Sequence, residues 1–192
     1  MNSITWIQPY YDLILNMIPL EANNILDVGA GYGVFGGIVK KARNVSLHAV
    51  EPFLNYDLNH YDYVSNITWG QFYKITDTKY DVLVSTEMIE HLPKPEAMEF
   101  LSESQKVANK VIIATPYHWE EQEAYDDNEY QVHQCIMTVK DFTNNGYKVS
   151  LLGTIAKKGL TGRILFHPKW LKVLKIIGVK PTNIIAEWTL KA

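Results

Sequence analysis

The chain of 192 residues has a single cysteine, Cys135, so no internal disulfide can staple it. Scarce cysteine suits a reducing compartment, and a cytoplasmic location is expected. No apolar run approaches the ~20 residues that a membrane-spanning helix needs, so no stable membrane insertion is expected. No basic stretch precedes the first apolar segment, which argues against a secretory leader. A strong charge of either sign is also missing. The 18 Lys and Arg against 21 Asp and Glu leave a net charge of −3, too mild to draw a polyanion to the whole chain, and nucleic acid is not expected as a partner. Repeats, low-complexity tracts and linkers are absent. What remains is 47% hydrophobic and 20% charged, an ordinary globular composition in a length that suits one domain, expected over residues 1–192.

The charges are unevenly spread. Six acids and no base stand between Glu120 and Glu129, and eight bases and no acid from Lys148 to Lys180. Both suit solvated surface; the functional alternatives are an acidic loop beside a site and a basic face for an anionic surface.

Periodicity organises the rest. Trp6, Tyr10, Leu13, Ile14 and Met17 at helical spacing predict a helix over residues 5–18, ended by Pro19. Further helices are predicted over 33–42, over 96–107 with Pro95 in the first turn, over 139–144 with Asn145-Gly146 as C-cap, and over 168–177. Strands are predicted over 24–30, 45–51, 67–72, 80–86, 111–115, 147–152 and 184–190, and residues 55–63 as loop or poorly formed helix. Strands alternating with helices imply a parallel sheet with right-handed crossovers, hence a seven-stranded α/β fold. A long aromatic and acidic connection spans 116–137; such loops are usually lids or binding loops.

The most informative segment is Ile25-Leu26-Asp27-Val28-Gly29-Ala30-Gly31-Tyr32-Gly33. A buried strand ends in a loop with glycine at alternate positions, and a helix follows. Glycine lets the chain turn sharply and lets a ligand lie against bare backbone. This places a nucleotide-like ligand at the carboxyl end of a strand. Gly31-x-Gly33-x-x-Gly36 with Glu51 also matches the dinucleotide fingerprint literally.

The segment from Leu26 to Gly33 resembles the first motif of class I S-adenosylmethionine-dependent methyltransferases, and the resemblance extends to about Thr115. It implies a Rossmann-like, mostly parallel seven-stranded sheet with helices on both faces and an antiparallel last strand. It also implies S-adenosylmethionine as cofactor. Asp27 would organise the loop and the methionine end. Glu51 in His48-Ala49-Val50-Glu51-Pro52 would bind both ribose hydroxyls, since one carboxylate can accept from two vicinal hydroxyls. Gln71 and Phe72 would meet adenine, and Thr86 ends the strand facing the reacting methyl group. The expected cofactor residues are therefore Asp27, Gly29, Ala30, Gly31, Glu51, Pro52, Gln71, Phe72 and Thr86. The Glu87-Met88-Ile89-Glu90-His91-Leu92-Pro93 segment also resembles this family and has no role in nicotinamide binding.

Methyl transfer from a sulfonium is an in-line displacement, so the protein contributes mainly position; a base is needed only if the acceptor must lose a proton. The candidates are His91, His118 and His133, with Glu87 and Glu90 behind them, and the expected catalytic set is His91, His133 and Glu90. Glu87-x-x-Glu90-His91 with a later histidine is similar to the set with which small-RNA 3′-terminal 2′-O-methyltransferases hold a divalent metal. This chain lacks the paired histidines that accompany that later histidine, and its acidic loop would repel RNA phosphates; no metal is expected. Tyr130 and His133 are expected to point into the pocket. The helix over 168–177, with lysine at every third position, is expected to dock its apolar face on the fold or on a second subunit in a homodimer; contact with anionic lipid is the alternative. The function expected is methyl transfer to O, N or C of a small-molecule or lipid-like metabolite. The alternatives are metal-assisted RNA 2′-O-methylation and a cofactor-binding module without catalysis.

Overall fold

Successive side chains of the first strand, β1 (Asn24–Val28), go to opposite sides of a sheet: Ile25 joins one buried cluster, and Leu26 and Val28 join another. Both sides are apolar because helices cover both. The computed structural model describes residues 8–53, 58–124, 127–157, 160–176 and 178–191. Along the chain, α1 (Gln8–Met17), β1, α2 (Val34–Ala42), β2 (Ser46–Val50), β3 (Tyr63–Ser65) and α3 (Trp69–Ile75) come first. They are followed by β4 (Tyr80–Thr86), α4 (Lys94–Val107), β5 (Ala108–Pro116), α5 (Val139–Asn144) and β6 (Lys148–Lys157). The chain closes with β7 (Leu160–Phe166), α6 (Leu171–Ile176) and β8 (Val179–Thr189). Short 3₁₀ turns lie at Ile89–His91, Glu129–Gln131 and Pro168–Trp170.

The sheet order is β3-β2-β1-β4-β5-β8-β6-β7. β1 to β5 pair in parallel, β8 runs antiparallel between β5 and β6, and β7 pairs antiparallel with β6 at the edge. On one side, α1 and α2 pack Tyr10, Ile14, Phe35 and Val39 against Ile25, Leu47, Val82 and Val84. On the other, α3, α4 and α5 supply Trp69, Phe72, Phe100, Leu101 and Phe142. Burying each such side chain contributes about 1.5–3 kcal/mol. The start of β1 is pinned by Asp81, which accepts the N–H groups of Asn23 and Asn24 at 2.8 and 3.0 Å.

The mixed sheet and its antiparallel last strand match the sequence reading, and the bounds of β4 and α5 coincide with those predicted. Three features differ. The third strand is Tyr63–Ser65, not 67–72. Residues 69–75 are helix, because Thr68 and Gln71 form a capping box: Thr68 Oγ1 accepts from Gln71 N while Gln71 Oε1 accepts from Thr68 N at 3.0 Å. Among the described residues the sheet has eight strands, because the chain returns as β7 antiparallel to β6, with Lys157 in register with Leu160. The predicted first helix over 5–18 begins, within the described residues, at Gln8, and residues 5–7, 55–57 and 177 of the predicted elements lie outside them.

Thr68→Ala removes the acceptor for the α3 cap at a half-buried position. Urea denaturation should show a loss of ~1 kcal/mol, and only a few tenths for Thr68→Ser. An unchanged midpoint for Thr68→Ala would contradict the capping role.

Candidate cofactor and active site

The carboxyl ends of β1, β2 and β4 converge on the glycine loop. Gly29 leaves β1 at φ +76° and donates to Val50 O at 2.8 Å, tying the loop to the end of β2. A Cβ there would run into the Met88 side chain, so both conformation and contact demand glycine. Gly31, at φ +50°, has nothing within 4 Å of the space a Cβ would take. Its bare face is a cradle a ligand can fill. The Gly31 N–H donates to Glu51 Oε2 at 2.8 Å, and Phe53 N–H donates to Glu51 Oε1 at 3.0 Å. Glu51 is thereby fixed by backbone while each oxygen keeps a further lone pair.

Beneath the loop, Asp27 is buried and accepts a hydrogen bond from the Tyr61 hydroxyl. Burial pushes its carboxyl up to about 7, opposed by the Tyr61 bond and assisted by the nearby Glu51 charge. Burial also raises Glu51, against the pull of the Gly31 and Phe53 amides. After β4, Glu87 takes a left-handed backbone, φ +51°, uncommon for a residue with a side chain. Its Oε1 accepts from Tyr10 Oη at 2.7 Å and Asn183 Nδ2 at 3.0 Å, so α1 and β8 both hold it. Burial raises Glu87, and raises Glu90 further because Glu87 lies beside it. Glu90 is 3% exposed; Oε2 accepts from Thr115 Oγ1 at 2.9 Å, and Oε1 has no hydrogen-bond partner among the described residues.

A cavity of about 790 Å³ runs along these groups. Asp27, Gly29, Ala30, Gly31, Glu51, Pro52 and Thr86 line it, together with His91 and Tyr130. Gln71 and Phe72 do not. Helix α3 commits Gln71 to the capping box and buries Phe72 in the core, so Thr68, Trp69, Gly70 and Lys74 form that wall instead. Glu90 and His133 line a separate cavity of about 10 Å³, together with His118 and Cys135. Only His91 of the expected catalytic set is therefore on the large cavity, although its ring lies 4.8 Å from that of His133. His91 Nδ1 lies 3.2 Å from Val132 O and His133 Nδ1 lies 2.6 Å from Glu120 O. A carbonyl accepts only from N–H, which places a proton on Nδ1 of each ring. Burial holds His91 below the usual imidazole value, so it is neutral near pH 7.

The structure adds Tyr11, Phe35, Glu87, Met88 and Gln134 to the cavity wall, and Asn183 as a support for Glu87. Helical periodicity places α1 on the core but cannot say that Tyr10 and Tyr11 reach β4. Nothing local marks Asn183. The acids Glu120, Glu121, Glu123, Asp127 and Glu129 are exposed, as a solvated loop requires; Tyr125 and Asp126 lie outside the described residues.

Residues 7–144 match the family profile described as a methyltransferase domain. No curated protein sequence gives a match. Among solved structures, the chain is similar to magnesium protoporphyrin IX methyltransferase from Synechocystis with bound SAM, at TM-score 0.59 and 13% identity over 100% of this chain and 85% of that one. It is also similar to the methyltransferase domain of bacterial CtHen1-C, at TM-score 0.61 and 18% identity over 96% and 98%. A third likeness is to a cyclopropane-fatty-acyl-phospholipid synthase-like protein from Lactobacillus casei, at TM-score 0.59 and 10% identity over 95% and 90%. At these identities the likeness is one of fold.

The raised Asp27 carboxyl has a consequence for stability. Its folded-state value of about 7 lies above the ordinary 3.8, so between these values the folded chain holds a proton the unfolded chain has released. Asp27 therefore lowers stability as pH rises from about 4 to about 7, by on the order of 4 kcal/mol in full. Asp27→Asn lacks this loss. Denaturation of both proteins between pH 5 and 8 should show the variant gaining on the parent as pH rises; a difference independent of pH would contradict a raised Asp27.

Proposed function

The chain belongs to the methyltransferase-domain family and is an S-adenosylmethionine-dependent methyltransferase, and we propose that its acceptor is a small-molecule or lipid-like metabolite, methylated on O, N or C. The cofactor fits the residues present: an open Gly31 backbone, Glu51 with free lone pairs and a buried Asp27. The bound cofactor supplies a methyl group on a positively charged sulfur.

One observation carries the acceptor class. Among the described residues, the large cavity is lined by Glu87, Glu96, Glu99 and Glu103 against the single base Lys74 and the neutral His91, and by Tyr11, Phe35 and Tyr130. Acids and aromatics suit a compact, uncharged or cationic acceptor and repel a phosphate backbone. We assign His91 Nε2 the proton lost by a hydroxyl or amine acceptor. Glu87, clamped through Oε1, offers its other oxygen to orient that acceptor.

A second reading rests on a different observation. One ligand atom from each of Glu90, His91 and His133 lies within 4.8 Å of the others, and Glu90 Oε1 is buried without a hydrogen-bond partner among the described residues. Two imidazoles and a carboxylate suit a divalent ion such as Zn²⁺ or Fe²⁺. A bound ion would lower the pKa of an acceptor hydroxyl, as in metal-assisted 2′-O-methylation.

Labelled methyl transfer from S-adenosylmethionine into fractionated cell extract, with the product identified by mass, tests the acceptor class; a labelled nucleic acid would sink the first reading. His91→Ala should lower turnover of that acceptor by about 10²-fold or more while S-adenosylhomocysteine still binds. Full turnover in this variant would remove His91 from its role. Activity that survives exhaustive chelation removes the second reading, whereas activity lost on chelation and restored by added metal supports it.

A further inference from the structure

The methyl-transfer site does not use the surface formed by the 3₁₀ turn Pro168–Trp170 and helix α6. Leu171 and Leu174 face inward and pack on the main core. The outward side still carries large apolar groups: Trp170, Val173 and Ile176 are 52%, 51% and 84% exposed. Between them stand exposed Lys169, Lys172 and Lys175, and exposed Lys180 follows at the start of β8. Lys172, Lys175 and Lys180 have no acidic partner among the described residues. Lys169 Nζ lies 5.7 Å from the Trp170 ring centroid, over its face. The whole stretch from Lys148 to Lys180 contains no acid.

We propose that this surface seats the protein on an anionic lipid membrane, with Trp170, Val173 and Ile176 entering the headgroup region and Lys169, Lys172 and Lys175 meeting lipid phosphates and carboxylates. The mixture itself selects the occupant. Interfacial helices combine lysine with tryptophan and aliphatic residues on one exposed surface, and lysines near an anionic leaflet add attraction to apolar burial. Protein interfaces, in contrast, are depleted of lysine at their centre. A second copy of this chain is opposed more directly, because a two-fold contact through this patch would set lysines against lysines. A nucleic acid would use the lysines but leave Ile176 and Val173 without a partner. No helix among the described residues is long and apolar enough to cross a membrane, so the contact is one of lying on the surface.

The proposal stands apart from the acceptor's identity, and flotation of the full chain with vesicles tests it. Vesicles with about a third phosphatidylserine should carry the protein up the gradient, while pure phosphatidylcholine vesicles should not. Lys169→Glu/Lys172→Glu/Lys175→Glu should weaken partitioning by about tenfold or more. Trp170→Ala/Ile176→Ala should weaken it at low salt as well, where electrostatics alone would hold. Both variants change exposed residues and should keep the parent's melting temperature and S-adenosylhomocysteine binding, which separates failure of this proposal from failure of the active-site reading. No flotation with anionic vesicles, or flotation indifferent to both sets of substitutions, overturns it. So does a parent that sediments as a dimer and becomes monomeric in Trp170→Ala/Ile176→Ala.

Discussion

Four carboxyl groups, Asp27, Glu51, Glu87 and Glu90, are gathered at the carboxyl edge of one sheet and withdrawn from water, with no basic side chain among the described residues to neutralise them. Burial is the largest influence on each, and no lysine or arginine lowers any of them. Among the described residues, ion pairs lie elsewhere, as at Lys40–Asp62, Lys94–Asp141 and Glu187 with Lys110 and Lys148. A buried carboxylate without a partner is costly, and the ordinary response is to hold a proton. The protein meets that cost with neutral donors: the Tyr61 and Tyr10 hydroxyls, the Asn183 amide, the Thr115 hydroxyl and the Gly31 and Phe53 amides. A site with excess acid and only neutral support favours a ligand that brings positive charge, and a sulfonium amino acid does so.

The rest of the architecture serves that arrangement. Parallel β1, β2 and β4 bring their ends together, and the left-handed Gly29 ties β1 to β2 while packing on Met88 beyond β4. Tyr61 packs against Gly36 at the start of α2 and donates to Asp27, so helix, loop and acid are braced by one ring. Glu87 sits in a strained conformation held from α1 and β8, which couples the first helix and last strand to the cavity wall at the end of β4.

The parts legible in the sequence are those in which local chemistry and tertiary packing agree. The apolar runs of β1 and β4, the alternating glycines, and the Thr138–Asn145 helix with its cap all announce themselves because burial and turn geometry demand those residue types. Residues 67–72 mislead because Ile67, Trp69 and Phe72 are apolar enough for a strand, while the Thr68–Gln71 pair signals a helix start and wins in the structure. Gln71 and Phe72 are thereby kept off the cavity wall. β7 is hard to see because Gly162 and Arg163 interrupt its apolar pattern; it exists by pairing with β6. Asn183 and Tyr10 reach Glu87 across 96 and 77 residues of chain, a separation no local pattern encodes.

The electrostatic account is tested most directly by calorimetry of S-adenosylhomocysteine binding near pH 7 in buffers of different ionisation enthalpy. This ligand lacks the sulfonium but keeps the ammonium, which should draw the proton off Asp27. The account predicts net proton release on binding, falling as pH rises above 7 and greatly reduced in Asp27→Asn. Binding with no proton exchange, or with proton uptake, would contradict it.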